Sequence, residues 1–480
     1  MNNLLVDKNK NLKSIILQLE KNANGLVFIV DKKNKLVGVF SDGDLRRLLL
    51  KRNISLNTKI SKVMNKKFIY AYSTWNKEKI IATFNKYGEK IKILPLLSKH
   101  KIIQDFVSNK RLSFIPIFSP SLNGNELEYV TNCIKTNWIS SKGSYVTAFE
   151  KKIAKIHKLN YALSVSNGTV AIQLAIKSLN LKKNDEIIVP NLTFAAVANS
   201  VINAGRIPRF VDINSETWNI DENKIKKAIN KKTRAILIVH TYGNPCNVTK
   251  ISKIAKENNL FLIEDCAESI GAKYKNKLTG TFGDCSTFSF YGNKTFTTGE
   301  GGMILFKNRR YFEFAKILRD HGMSLKKRYY HDFVGHNFRL TNLQSAIGLA
   351  QLERFNSINK IKKTIAKRYI SGLIKINCLK FQKTLNKCEH SFWAFPLVLK
   401  TKIHKQIIEK KLNEYGIETR NFFYPLNIQK PYKKYSKNKN YQLSEDISER
   451  GLCLPTFIGL KEYEQKNIIN KIKEISKNLN

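Results

Sequence analysis

Apolar side chains recur at helical spacing from Asn11 to Leu19 and then run almost without a break through Gly25-Leu-Val-Phe-Ile-Val-Asp31 and Lys35-Leu-Val-Gly-Val-Phe-Ser41. That pattern predicts a helix followed by two strands joined at a turn on Lys33-Asn34. Ser41-Asp-Gly-Asp44 then opens a short helix over Leu45 to Leu50. A Ser or Asp at such a point caps the free N–H groups of a helix, which by itself accounts for both residues. From Met64 to Val107 the same sense returns more weakly, with Phe68-Ile-Tyr as a strand, Lys77 to Tyr87 as a helix and Ile91 to Leu97 as a strand. The first 112 residues therefore read as a small α/β module built from two similar halves.

Two prolines in Ile115-Pro-Ile-Phe-Ser-Pro-Ser121 mark a change of segment. Beyond them strands and helices alternate: strands at Tyr161 to Val165, Glu186 to Val189, Arg209 to Asp212, Ala235 to His240 and Leu260 to Glu264, with helices at Thr169 to Leu179 and Val197 to Ala204. Near-continuous apolar strands between helices predict a mainly parallel sheet covered on both faces. After Asn342 a long helical stretch leads to a smaller unit, with a strand at Phe392 to Leu399 and a helix at Ile403 to Tyr415. A chain of 480 residues exceeds what one core usually serves. The expected divisions are 1–112, 113–360 and 361–480.

Composition adds one outlier. With 84 Lys plus Arg against 37 Asp plus Glu, the formal charge is +47, which raises nucleic acid or an acidic membrane as partners. The excess is spread evenly, with 24 basic and 8 acidic residues up to Leu112 and 60 and 29 after it. No aromatic-interleaved basic stripe or zinc-finger spacing accompanies it, so nucleic acid rests on bulk charge alone. Seven cysteines, an odd number without Cys-x-x-Cys spacing, argue against a disulfide framework or structural zinc and fit a reducing compartment. Met1 to Lys10 lacks a secretion-signal pattern and no segment has the ~18 successive apolar residues of a membrane span, so a cytoplasmic location is expected.

Three segments carry chemistry. Lys294 lies in Ser289-Phe-Tyr-Gly-Asn-Lys294-Thr-Phe-Thr-Thr-Gly-Glu-Gly-Gly302 and is the only charged residue from Cys285 to Thr298. A desolvated lysine has a lowered pKa and can attack a carbonyl to form a Schiff base. Phe261-Leu-Ile-Glu-Asp265 delivers a carboxylate at the C-terminal edge of the sheet, where open α/β folds bind ligands, although a strand-end Asp often only caps a helix. Ser164-Val-Ser-Asn-Gly-Thr169 precedes a helix, whose free N–H groups and dipole attract anions. A Schiff-base lysine, a carboxylate for a pyridine nitrogen and a phosphate cradle together are what pyridoxal phosphate (PLP) requires.

Residues from about 115 onward resemble the DegT/StrS family of nucleotide-sugar aminotransferases. The resemblance is carried by Trp138-Ile-Ser-Ser-Lys-Gly, Ser166-Asn-Gly-Thr, Pro190-Asn-Leu-Thr-Phe194, Glu264-Asp-Cys-Ala-Glu268, Thr281-Phe-Gly-Asp, the Lys294 segment and Gly335-His-Asn-Phe-Arg-Leu-Thr-Asn342. Within the family, Glu268 and His331-Asp-Phe-Val-Gly-His-Asn337 look most like the perosamine synthases. The resemblance implies a fold-type-I, aspartate-aminotransferase-like α/β domain and a homodimer with shared active sites. By it, Lys294 holds PLP, Asp265 binds the pyridine nitrogen, Phe194 stacks on the ring, and Gly168, Thr169 and Ser289 bind the phosphate. Glu268 lies near the phenolic oxygen, and Asn337 reaches the phosphate of the partner subunit. The implied reaction moves an amino group from L-glutamate to a nucleotide-linked 4-keto-6-deoxy sugar for surface polysaccharide. The alternatives are a UDP-4-keto-6-deoxy-N-acetylhexosamine as acceptor, or a nucleotide-sensing regulator with an inactive PLP domain. One departure stands out: relatives carry His where Tyr424-Pro-Leu-Asn427 has Asn. The N-terminal module resembles a cystathionine-β-synthase (CBS) domain pair, in which Ser41 and Asp44 would hold a nucleotide. Lys101-Ile-Ile-Gln-Asp105 stands where the second half would carry the equivalent pair. No metal site is expected.

Overall fold

The computed structural model describes residues 3–22, 24–50, 54–88, 91–108, 114–436 and 440–479. The chain divides into two compact units, Met1–Phe114 and Ile115–Asn480. The boundary expected at residue 112 lies outside the described residues.

The first unit uses one topology twice. Strand β1 (Leu5–Asp7) pairs in parallel with β2 (Leu26–Val30), which pairs antiparallel with β3 (Leu36–Ser41). In the second half β4 (Ala71–Tyr72) pairs in parallel with β5 (Ile93–Leu97), and β5 antiparallel with β6 (Ile103–Ser108). In each half a helix, Leu12–Asn22 or Lys77–Tyr87, bridges the parallel pair, as a parallel connection requires. The two halves share a core in which the rings of Phe28 and Phe106 stack with centroids 4.9 Å apart. No strand forms over Phe68-Ile-Tyr, where one was expected; β4 follows it at Ala71–Tyr72. Phe68 and Tyr70 pack against the shared core instead of joining a ladder.

The second unit is organised on a seven-stranded sheet: β7 (Tyr161–Val165), β8 (Glu186–Pro190), β9 (Ile207–Val211), β10 (Thr233–Val239), β11 (Phe261–Asp265), the small hairpin strands β12 (Lys273–Tyr274) and β13 (Lys277–Leu278) outside the sheet, then β14 (Cys285–Ser289) and β15 (Gly302–Phe306). Its order is β7-β15-β14-β11-β10-β8-β9, all neighbours parallel except β15, which runs antiparallel between β7 and β14. In β10, Ala235, Ile236, Leu237 and Ile238 are wholly buried, the signature of a strand covered on both faces. Because β7 regains the common direction, the C-terminal ends of β7, β8, β11 and β14 open on one edge.

A second, four-stranded antiparallel sheet joins β16 (Leu379–Phe381), β18 (Phe395–Leu399), β20 (Gly451–Leu454) and β19 (Arg420–Asn421), in that order; β17 (Cys388–Glu389) pairs with β12. The helix Phe355–Leu373 runs unbroken through residue 360. Its Ile358 packs in the core beside the large sheet, while Ile365, Ala366, Tyr369 and Leu373 pack under the small one. The strand expected from Phe392 starts at Phe395 because Phe392 has φ +53°, a left-handed conformation that interrupts extended backbone.

Candidate active site

The strand ends of the large sheet converge on a cleft of about 560 Å³ lined by Gly168, Thr169, Phe194, Asp265, Glu268, Ser289 and Lys294. Gly168 begins the helix Gly168–Ser178, whose N-cap Asn167 accepts the Val170 N–H at 3.0 Å. A Cβ on Gly168 would lie 2.6 Å from Ser289 Cβ and 3.0 Å from its Oγ. Glycine is therefore what lets a helix N-terminus with free N–H groups lie against a serine hydroxyl, a cradle suited to a phosphate. Phe194 follows β8 and is 54% exposed into the cleft, its ring 5.8 Å from that of Phe423. It is not a core aromatic.

Asp265 ends β11, buried, with its Oδ1 accepting the Ala267 N–H at 2.9 Å. Burial raises its pKa, opposed by that hydrogen bond and by the charges of Lys294 and His240. Glu268, also buried, accepts the Tyr242 N–H at 2.6 Å. Burial pushes it up to about 6 against the pull of Lys294 and the Tyr242 amide. Lys294 itself is held below the ordinary lysine range by burial, with Glu268 and Asp265 acting the other way. Its Nζ sits 4.2 Å from the centre of the Trp393 ring. An amine that is partly desolvated and faces two carboxylates is poised between a nucleophile and a proton carrier.

Among the lining residues to which the sequence assigned no role are Trp393, Arg420 and Phe423. The Arg420 guanidinium stacks over the rings of Trp393, Phe423 and Phe118 at 5.5 to 5.9 Å. All three come from the small-sheet half, more than 90 residues after Lys294, and no local motif announces them. Asn337 does not line this chain's cleft; it is exposed and its Oδ1 accepts Arg339 Nε at 3.1 Å. Asn427 is turned away as well. Its amide binds Asn191 Nδ2 at 2.8 Å and Glu445 Oε1 at 2.6 Å, so the Asn that departs from the relatives' His ties β8's end to the helix Gln442–Arg450. In the first unit, Ser41 and Asp44 form a reciprocal capping box, Asp44 N–H to Ser41 Oγ at 3.2 Å and Ser41 N–H to Asp44 Oδ2 at 2.9 Å, and Arg47 pairs with Asp44 at 2.7 Å.

His240, Glu264 and Cys266 bring three possible metal-ligand atoms together. Their lone pairs are already engaged, however. Glu264 accepts the Gly280, Phe282 and Gly283 N–H groups and contacts His240 Nε2, while His240 Nδ1 accepts the Cys246 N–H. This is a hydrogen-bonded brace behind Asp265.

The DegT/DnrJ/EryC1/StrS aminotransferase family matches residues 120–473. The chain belongs to that family. A CBS domain matches residues 2–51. The second unit is 41% identical to the GDP-perosamine synthase of Escherichia coli O157:H7, over 76% of this chain and 99% of that protein. It is also 41% identical to the GDP-perosamine synthase of Vibrio cholerae, over 75% and 98%. Among solved structures, Helicobacter pylori PseC, an aminotransferase involved in the biosynthesis of pseudoaminic acid, superposes with a TM-score of 0.73 at 26% identity, over 76% of this chain and all of that one. The chain is a PLP-dependent sugar-nucleotide aminotransferase of fold type I, its substrates a nucleotide sugar and an amino donor. The cofactor fits the cleft on its own terms, since the close approach at Gly168 leaves a cradle at Ser289 that a side chain would fill. No helix among the described residues is long and apolar enough to cross a membrane.

Proposed function

We propose that this family member transfers the amino group of L-glutamate to the C4 carbonyl of GDP-4-keto-6-deoxymannose, giving GDP-perosamine for a cytoplasmic stage of surface polysaccharide synthesis. The observation that carries the reading is the placement of the Lys294 amine in one cleft with Asp265, Glu268 and the Gly168–Ser289 cradle. The likeness to two GDP-perosamine synthases supports the choice of sugar.

When bound, PLP supplies a ring that withdraws electrons from the carbon bearing the transferred amine. In the proposed arrangement Lys294 Nζ would hold the cofactor covalently, and Asp265 would balance the positive charge of its ring nitrogen. Gly168 and Thr169 N–H groups and the Ser289 hydroxyl would bind the phosphate, Phe194 would stack on the ring, and Glu268 would lie near the phenolic oxygen. With PLP bound, the Lys294 amine would be the group placed to carry a proton away from the donor's α-carbon, and to return one in the reverse sense for the sugar. Burial holds this amine below the ordinary lysine range, the direction that task requires. Two half-reactions at one site predict ping-pong kinetics.

Asn337 is assigned to the phosphate of a second copy of the chain in a homodimer; the exposed Tyr329, Phe333 and Val334 of the preceding loop support an interface there. A nucleotide ligand is assigned to Ser41 and Asp44 of the CBS domain, where binding must share side chains with the capping box. The deciding experiment supplies glutamate with either GDP-4-keto-6-deoxymannose or a UDP-4-keto-6-deoxy-N-acetylhexosamine and follows 2-oxoglutarate. Release with the GDP sugar alone supports the proposal. Release only with the UDP sugar transfers it to that acceptor, and none with either refutes it.

A further inference from the structure

Behind Lys294 lies a second, much smaller cavity of about 20 Å³, lined among others by Asn293, Lys294, Thr295, Lys362 and Trp393. Lys362, on the helix Phe355–Leu373, is 2% exposed and has no carboxylate partner among the described residues. Its Nζ donates to the backbone oxygens of Trp393 at 3.0 Å and Thr456 at 2.5 Å. Burial alone pushes its pKa down to about 7. A protonated lysine has three N–H donors, so two carbonyls leave one unspent. Two of the residues lining this cavity each bury a polar atom without a hydrogen-bond partner, Asn293 its Oδ1 and Thr295 its Oγ1. They flank Lys294 in sequence.

An orphaned buried polar atom costs about 1 to 3 kcal/mol, and two of them beside a lysine with an N–H to spare call for a common partner. The volume selects it, because a single water needs roughly 10 to 15 Å³ and typically makes about three hydrogen bonds. We propose that this cavity holds one ordered water accepting from Lys362 Nζ and bonding Asn293 Oδ1 and Thr295 Oγ1, and that Lys362 thereby positions the Lys294 segment. The linkage has a second strand. Lys362 fixes the Trp393 carbonyl, the Trp393 indole Nε1 donates to Asn293 O at 2.9 Å, and the Trp393 ring lies under the Lys294 amine. Lys362 does not line the large cleft, so its role is positioning. The consequence for turnover rests on Lys294 being the Schiff-base lysine; the water site does not.

Thr295→Val gives the sharpest test, because it removes the hydroxyl while leaving both carbonyl bonds of Lys362 intact. If Thr295 Oγ1 were truly unpartnered, losing it would be neutral or stabilising. With the water in place, the variant lowers thermal stability and raises amide exchange of residues 291–298 in the PLP-free protein about tenfold. In the loaded enzyme the glutamate half-reaction slows about tenfold with the glutamate KM unchanged. Lys362→Met produces the same pattern more strongly. A dry cavity in a high-resolution crystal structure, or a Thr295→Val protein as stable and as protected as wild type, overturns the proposal whatever Lys362→Met does. Wild-type protein that shows no glutamate half-reaction would refute the assigned function, yet the exchange and stability arms would still decide the water site.

Discussion

Glu268 offers a measurable consequence of burying a carboxyl beside the reactive lysine. Its pKa rises from 4.5 to about 6, with burial as the dominant cause. The folded protein therefore binds this proton more tightly than the unfolded chain does. As pH climbs through the window from about 4.5 to 6, the unfolded chain gives up its proton first. Folding stability falls across that window and stays lower above it. A displacement of this size corresponds to about 2 kcal/mol at 1.36 kcal/mol per pKa unit. Glu268→Gln removes the titration yet keeps an oxygen to accept the Tyr242 N–H. The difference in unfolding free energy, variant minus wild type, should become about 2 kcal/mol more favourable to the variant between pH 4 and pH 7.5. Denaturant unfolding of the PLP-free proteins at the two pH values measures it, and taking the change with pH cancels any fixed packing cost of the substitution. A difference that stays constant with pH, or grows in wild type's favour, would refute the burial argument for Glu268.

Gly168→Ala places a Cβ 2.6 Å from Ser289 Cβ; it should cost the PLP-free protein about 1 to 3 kcal/mol in thermal unfolding, and PLP affinity, read from cofactor absorbance on titration, should fall at least tenfold. Lys294→Ala should abolish the 2-oxoglutarate signal yet still fold, because the side chain makes no hydrogen bond that the core depends on; residual activity within tenfold of wild type would exclude Lys294 as the proton carrier. Asn427→Ala breaks the ties to Asn191 and Glu445 and should cost about 1 to 3 kcal/mol in thermal unfolding with the sugar KM unchanged. Ser41→Ala removes a complete capping box and should destabilise the first unit by about 0.5 to 2 kcal/mol, read as an earlier melting of that unit.

What was legible in the sequence was chemistry carried by contiguous residues. Asp265 could be placed at a strand's end, Gly168 and Thr169 at a helix's start, and Lys294 in an uncharged glycine-rich segment, because each motif sets its own local geometry. The doubled topology of the first unit was legible too, since the same hydrophobic rhythm occurs twice. Strand direction was not: β15 is as apolar as its neighbours, and a buried strand reads the same whether it runs parallel or antiparallel. The other half of the cleft was equally hidden. Trp393 reaches Lys294 because Phe392 takes a left-handed backbone conformation just before β18, a turn that Phe, with its Cβ, gives no reason to expect. Asn427 shows the opposite limit. In the sequence it is only a departure from the relatives' His, whereas its neighbours Asn191 and Glu445 make it part of a polar tie. The charge of +47 follows the same logic. The lysines that matter are set apart by what surrounds them: Lys294 shares its cleft with two buried carboxylates, and Lys362 faces two carbonyls with no counter-ion among the described residues. Net charge is blind to that distinction, so its bearing on function is limited to the positive potential that draws a phosphorylated cofactor and substrate toward the cleft.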